Sequence, residues 1–239
     1  GIVKHNGIIA NNIPYHTYNY NKIHDLKLHN NPHLESQIAS VADDIAYNNH
    51  DIEDAMRAKL ISLDTLNDIS YFKEINDYLR IKFKDIDVSL LTYQMLRESI
   101  SKMVNDIINQ SIKNIQLEKV KSINDVHRNK KFIISMSENM KKDCILIKEF
   151  LYQNVYNHPK LKNKRLKVKK ITKNLFNYYS KNFHLLPKDW LLQEKNESKY
   201  RIVCDYISGM TDRYASKLYK SIYEWLFKHI KKRFIENNW

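Results

Sequence analysis

Glycine and proline are nearly missing from this chain of 239 residues, which has three of the first and four of the second. A fold built on many tight turns needs both. The shortage argues against a turn-rich β architecture and for long helices joined by short loops. Cysteine is as scarce: Cys144 and Cys204 stand far apart, without metal-ligand spacing. That leaves no disulfide framework and no cysteine-ligated zinc, and both thiols are expected as reduced core residues of a cytoplasmic protein. No apolar run approaches the roughly 18 residues of a membrane span, and no secretory pattern opens the chain, so no membrane partner is expected. Acidic residues fall short of basic ones, 27 Asp and Glu against 40 Lys and Arg, for a formal net charge of +13. A basic balance suits a polyanionic ligand. The accompanying wealth of Asn, Ile and Tyr points to an AT-rich coding bias as one source of the lysines.

Helical periodicity takes the place of turns. The stretch from Ala39 to Ala58 carries the most chemistry. At about 100° per residue, Asp43, Tyr47, His50, Asp51 and Asp54 share roughly one quadrant of a helix. Ile38, Val41, Ile45, Ile52 and Met56 gather on the other side, and Ala39, Ala42 and Ala46 leave room for close neighbours. Carboxylates, a phenol and an imidazole along one stripe suit the wall of a metal or nucleotide site. Ordinary amphipathic helices show water a similar stripe. One helix cannot close a metal site by itself.

The helix is expected to start at Asn31 or Pro32 and run to about Asn49, with residues 50–60 a continuation or a short second helix. Before it, residues 1–32 read as a short helical start and an irregular loop bearing Pro14. Leu66, Ile69, Phe72, Ile75 and Leu79 predict one helix over 63–83, and Leu96, Ile100, Val104, Ile107 and Ile108 a long core helix over 89–117. Ser122 with Asp125, and Ser135 with Glu138, have capping-box spacing. The second pair opens a helix that stops before Pro159. Eight of the residues from 160 to 173 are Lys or Arg, yet Leu161, Val168, Ile171, Leu175 and Phe176 keep a helical stripe. A solvated face and a polyanion patch both fit that run. Pro187 suits the first turn of a short helix through Trp190, and Ser198 caps a helix in which Gly209 implies close packing. A last amphipathic helix is expected over 217–235, with Tyr219, Ile222, Leu226 and Ile230 inward.

Three passages carry a family resemblance: ADDIAYNNHDIEDAMRA (42–58), FLYQNVYNHPKL (150–161) and RIVCDYISGMTDRYA (201–215). Together, in this order, they resemble the deoxyguanosinetriphosphate triphosphohydrolase-like proteins, a branch of the HD-domain phosphohydrolases. The turn at Lys4-His5-Asn6-Gly7 is similar to one that precedes the signature helix in that family. The resemblance implies an all-α fold, an irregular multi-helix bundle of the HD-domain type. It also implies hydrolysis of a deoxynucleoside triphosphate to the deoxynucleoside and inorganic triphosphate, with a divalent metal ion such as Mg²⁺ or Mn²⁺. By the same resemblance Asp43 is a metal ligand, and Tyr47 and Asp51 contact the phosphates or sugar of the nucleotide. Tyr156 lies against the deoxyribose, and Arg97 is the basic residue that approaches the substrate from the long helix. Asp205, Asp212 and Arg213 are expected to pair internally. Relatives often form hexamers.

The departures matter as much. The family's first His, its His-Asp pair and its catalytic His-Glu segment precede the Lys4–Gly7 turn. His24-Asp25 is no substitute, because it sits too close to the signature helix and lacks the Gly/Pro-rich sequence that follows the catalytic pair. The expectation is therefore the C-terminal portion, roughly three fifths, of such an enzyme, without the N-terminal helices that carry the HD motif. Residues 1–160 would belong to the catalytic core and 161–239 to a helical extension packed on it. Such chemistry needs a cation to polarise phosphate or activate water. One Asp cannot hold it. Two other readings stay open: a catalytically inactive remnant, and a helical module that binds nucleotide or single-stranded nucleic acid through the basic run.

Overall fold

A computed structural model describes residues 2–192 and 197–223. No strand occurs among them, so the chain is all-α, as its shortage of turn residues predicts. No described helix is long and apolar enough to cross a membrane. The chain divides after His158 into two compact units.

The first unit holds α1 (Tyr15–Ile23), α2 (Leu34–Arg57), α3 (Leu63–Leu66), α4 (Ser70–Lys82), α5 (Val88–Leu117), α6 (Ile123–Arg128) and α7 (Glu138–Leu151). Helix α1 stands where a loop is expected, and it contributes no buried residue. Gly7, at φ +115°, closes the turn before it by donating from its amide to the Lys4 carbonyl at 2.9 Å. The signature helix is one piece from Leu34 to Arg57, so residues 50–57 continue it instead of forming a second helix, and it starts a little later than expected. The helix expected over 63–83 is two, because Ser62 caps the short α3 and Ile69 begins α4 afresh. All five residues of its apolar period are buried, with Phe72 and Leu66 fully so. Residues 83–87 then turn the chain into the hairpin of α4 and α5, where the Tyr71 hydroxyl donates to the Ser99 carbonyl at 2.8 Å.

Helix α2 lies against both α5 and α7. Ile45, Ile52 and Ala55 fill the interior, but Ile38 is half exposed. On α5, likewise, Leu96 and Ile107 are buried while Ile100, Val104 and Ile108 are open. Two buried amides tie the irregular segment after α6 to the start of α2. The Gln37 side chain donates to the Pro32 carbonyl and accepts from the amides of Ile133 and Ile134 at 2.8 and 3.0 Å. Asn31 donates to the carbonyls of Asn129 and Lys131.

Ser122 and Asp125 form the expected capping box of α6. At α7 the cap is Ser137 instead of Ser135: its hydroxyl accepts from the Met140 amide at 3.2 Å. Cys144 is buried on α7, whereas Cys204 is exposed, so only one of the two thiols is a core residue.

The second unit holds α8 (Pro159–Lys181), α9 (Lys188–Leu191), α10 (Lys199–Ser208) and helical residues 212–223. Ile171, Leu175 and Tyr179 of α8 make its core with Ile202 and Val203 of α10. Val168 and the Lys and Arg side chains of 160–173 are exposed. Ser198 caps α10 as expected, but Gly209 ends that helix instead of sitting within it, and a Cβ there would meet only its own helix's carbonyls. Asp205 pairs with Arg201 at 2.8 Å, not with Arg213. Of the last amphipathic helix, Leu226 and Ile230 lie outside the described residues.

Candidate functional site

The polar stripe of α2 forms as periodicity predicts. Asp43, Tyr47, His50 and Asp54 are exposed and Asp51 is half-buried. The partner of this stripe comes from the end of α7. There the helix widens into a π turn over Tyr152–Tyr156, in which the Asn157 amide reaches back to the Tyr152 carbonyl at 3.1 Å. A π turn shifts the following side chains around the helix relative to α spacing and recurs at functional sites. Here Val155 is buried and the Tyr156 hydroxyl donates to the Asp51 carboxylate. Burial, the Asp51 carboxylate and the Tyr47 phenol together raise the pKa of Tyr156 well above the usual phenol value. It therefore stays protonated, as a donor held by one oxygen of Asp51. The other oxygen is left to accept from a ligand hydroxyl, and Tyr47 stands beside it with a phenol that can donate.

The two adjacent carboxylates at 43 and 44 are separated by their direction on the helix. Asp44 faces α7, where it accepts from Lys148 at 3.1 Å. Asp43 makes no hydrogen bond or ion pair among the described residues. It is the carboxylate left available. Asp44–Lys148 and Asp51–Tyr156 are 104 and 105 positions apart, so α7 runs alongside α2 in the same direction. His50 approaches Glu53 at 3.7 Å, which in turn binds Arg57 at 2.6 Å. Arg97 is exposed on α5, and no hydrogen bond or ion pair joins it to the stripe among the described residues.

A divalent ion is not provided for by these side chains alone. No group of three or more His, Cys, Asp or Glu among the described residues is arranged to hold one. Asp43 offers a single carboxylate, too little against the hydration of Mg²⁺. Lys148 was not among the residues singled out from the sequence. Helical spacing relates neighbours within one element and says nothing of a lysine some hundred positions away.

A family described as a phosphohydrolase-associated domain matches residues 134–221. The deoxyguanosinetriphosphate triphosphohydrolase-like protein of Rickettsia prowazekii is 37% identical over 225 residues, which are 93% of this chain and 59% of that protein. Its counterpart in Rickettsia typhi is 38% identical over the same shares. The one in Rickettsia felis is 37% identical over 233 residues, 96% of this chain and 61% of that protein. The chain is a homologue of the deoxyguanosinetriphosphate triphosphohydrolase-like proteins. It spans about three fifths of the length of these relatives. The matched region contains both halves of the Tyr156–Asp51 pair, and the phosphohydrolase-associated match contains Lys148 and Tyr156.

Proposed function

We propose that this chain is the part of a deoxynucleoside triphosphate triphosphohydrolase that supplies substrate contacts and one metal ligand. The reaction is hydrolysis of a dNTP to the deoxynucleoside and triphosphate. Asp43 is the carboxylate offered to a divalent ion whose other ligands come from outside the described residues. Tyr47 and Asp51 meet the phosphates or sugar, Tyr156 lies against the deoxyribose, and Arg97 approaches from α5. The observation that carries this reading is the hydrogen bond from Tyr156 to Asp51. Two side chains from separate family motifs, both read as nucleotide contacts, meet at one point. The printed names of the relatives support the reaction class.

The arrangement suits selection against ribose. A carboxylate with a free oxygen accepts from a sugar hydroxyl, while an aromatic face offers a 2′-hydroxyl no partner. The test is triphosphate release from each dNTP with Mg²⁺ or Mn²⁺. The 239-residue chain alone is expected to release none. The same chain joined to the portion of the Rickettsia typhi relative that it does not match is expected to release triphosphate. In that joined protein Asp43→Ala should lower metal occupancy and turnover together, and Asp44→Ala should do much less. Turnover by the pure chain alone, lost in Asp43→Ala, would refute the division of labour. A well-folded joined protein that binds no dNTP would refute the function.

A further inference from the structure

No acidic residue occurs from 150 to 188, a span that holds the basic run of α8. Lys162, Arg165, Lys169 and Lys173 fall within about 80° of one another around that helix, in a stripe about 16 Å long. All four are exposed, and none forms an ion pair among the described residues. The stripe ends in a groove of about 640 Å³ between α8 and α10. Lys169, Lys173 and Phe176 line it from α8, Cys204 and Ile207 from α10, and the lining is largely apolar. Tyr200, one turn before Cys204, is 57% exposed. Its ring lies 6.3 Å from that of Phe176, and Lys199 Nζ stands over it at 5.4 Å. We propose that this stripe and groove bind single-stranded nucleic acid, with the phosphates on the cations and the bases against Phe176 and Tyr200.

A solvated helix face accounts for the lysines alone. It does not account for an exposed aromatic ring and an apolar hollow at the end of the same stripe. A single strand uses both, because cations follow its backbone and its bases stack on aromatic faces. At about 3.4 Å per stacked nucleotide the stripe matches roughly five phosphates, more than one mononucleotide offers. A duplex keeps its bases stacked on one another and leaves the rings without a role. A membrane surface meets one face of a helix lying on it. Here Lys160, Lys164 and Lys167 are exposed on the side of α8 opposite the stripe, so cations surround its first half. The apolar residues that would enter a bilayer, Ile171, Leu175 and Tyr179, are buried in the core of this unit. The binding does not rest on the hydrolytic reading, since α8 and α10 hold none of the residues assigned to it.

The test is fluorescence anisotropy of labelled oligothymidine and oligouridine, each of about 20 nucleotides, titrated with the chain over a range of salt. At least one should bind, with log Kd rising against log salt at a slope of about 3, as for four neutralised phosphates. The tighter of the two distinguishes DNA from RNA. Lys169→Gln with Lys173→Gln should lower the slope by about 1.4 and weaken binding roughly tenfold or more. Lys113→Gln with Lys119→Gln removes the same charge elsewhere and should leave both nearly unchanged. Tyr200→Ala should weaken binding roughly fivefold or more at an unchanged slope, because stacking releases no counterions. Bound strand should also slow alkylation of the exposed Cys204 in the unaltered chain, where Cys144 is buried. Circular dichroism melts check that each variant folds. Equal losses in the two double variants would reduce the interaction to net charge and overturn the proposal. So would a duplex of the same length bound as tightly as the strands, or Cys204 labelling that bound strand leaves unchanged. A chain that binds neither strand at low salt overturns it outright, and sedimentation of that chain with phosphatidylserine vesicles would make the surface a membrane one.

Discussion

Tyr156 and Asp51 lie 105 positions apart and share one hydrogen bond, which turns a sugar-contact reading into a test on single atoms. In a catalytically complete protein, Tyr156→Ala should narrow the dGTP-to-GTP ratio of kcat/KM by roughly ten- to hundred-fold, the worth of an unpartnered buried hydroxyl. Tyr156→Phe keeps the ring and loses only the bond. It should retain most of the ratio and lose about 1 kcal/mol in urea denaturation. A drop of several kcal/mol with the ratio unchanged would reassign Tyr156 to the core. The two cysteines differ as sharply. Burial pushes the Cys144 thiol up to about 11, while Cys204 is exposed. Near neutral pH an aromatic disulfide reagent should titrate one thiol quickly in the native chain and two in denaturant. Two fast thiols in the native chain would contradict the packing of α7.

At the scale of elements, periodicity served well and punctuation less so. Apolar spacing found α2, α4 and α5, since it follows from which residues an isolated helix turns the same way, although it ran α3 and α4 together and counted Ile38, Ile100, Val104 and Ile108 as inward. Ser135 with Glu138 had the spacing of a cap, but the neighbourhood chose Ser137. Asp106 of α5 accepts from both the Ser137 amide and its hydroxyl, at 2.8 and 2.6 Å, and holds it at the helix start. Ser135 is engaged elsewhere, accepting from the Asn114 amide group at 3.0 Å. Ser137→Ala should therefore cost about 1–2 kcal/mol in chemical denaturation, and Ser135→Ala distinctly less. Equal losses would mean that α7 starts where spacing alone puts it. The π turn at the end of α7 had no such signature. Within it Val155 enters the core while Tyr156 reaches α2.

At the scale of the molecule, a seam between the start of α2 and α6 contributes to the response to acid. The rings of His33 and His127 stand 4.9 Å apart, and His33 Nδ1 and His127 Nε2 are buried without a hydrogen-bond partner among the described residues. Burial, then the charges of His33, Lys27 and Lys4, lower the pKa of His127. A histidine that resists protonation when folded contributes stability that is complete above its unfolded pKa, near 6.5, and is lost as pH falls below it. The urea midpoint should hold steady above pH 7 and decline as pH falls below the unfolded histidine value of about 6.5, and His127→Gln should flatten that decline. An unchanged profile in the variant would place the acid sensitivity elsewhere. The sequence alone determined the all-helical class, the polar stripe of α2 and the family likeness, because each depends on spacing or wording within one segment. Tertiary structure decided which stripe meets which. It put Asp44 on Lys148 and left Asp43 free, brought Tyr156 to Asp51, and left Ile38 and Val104 lining a groove instead of a core. Those outcomes depend on how two helix faces separated by tens to a hundred residues are oriented when they pack, and spacing within a helix carries no record of the face it will meet.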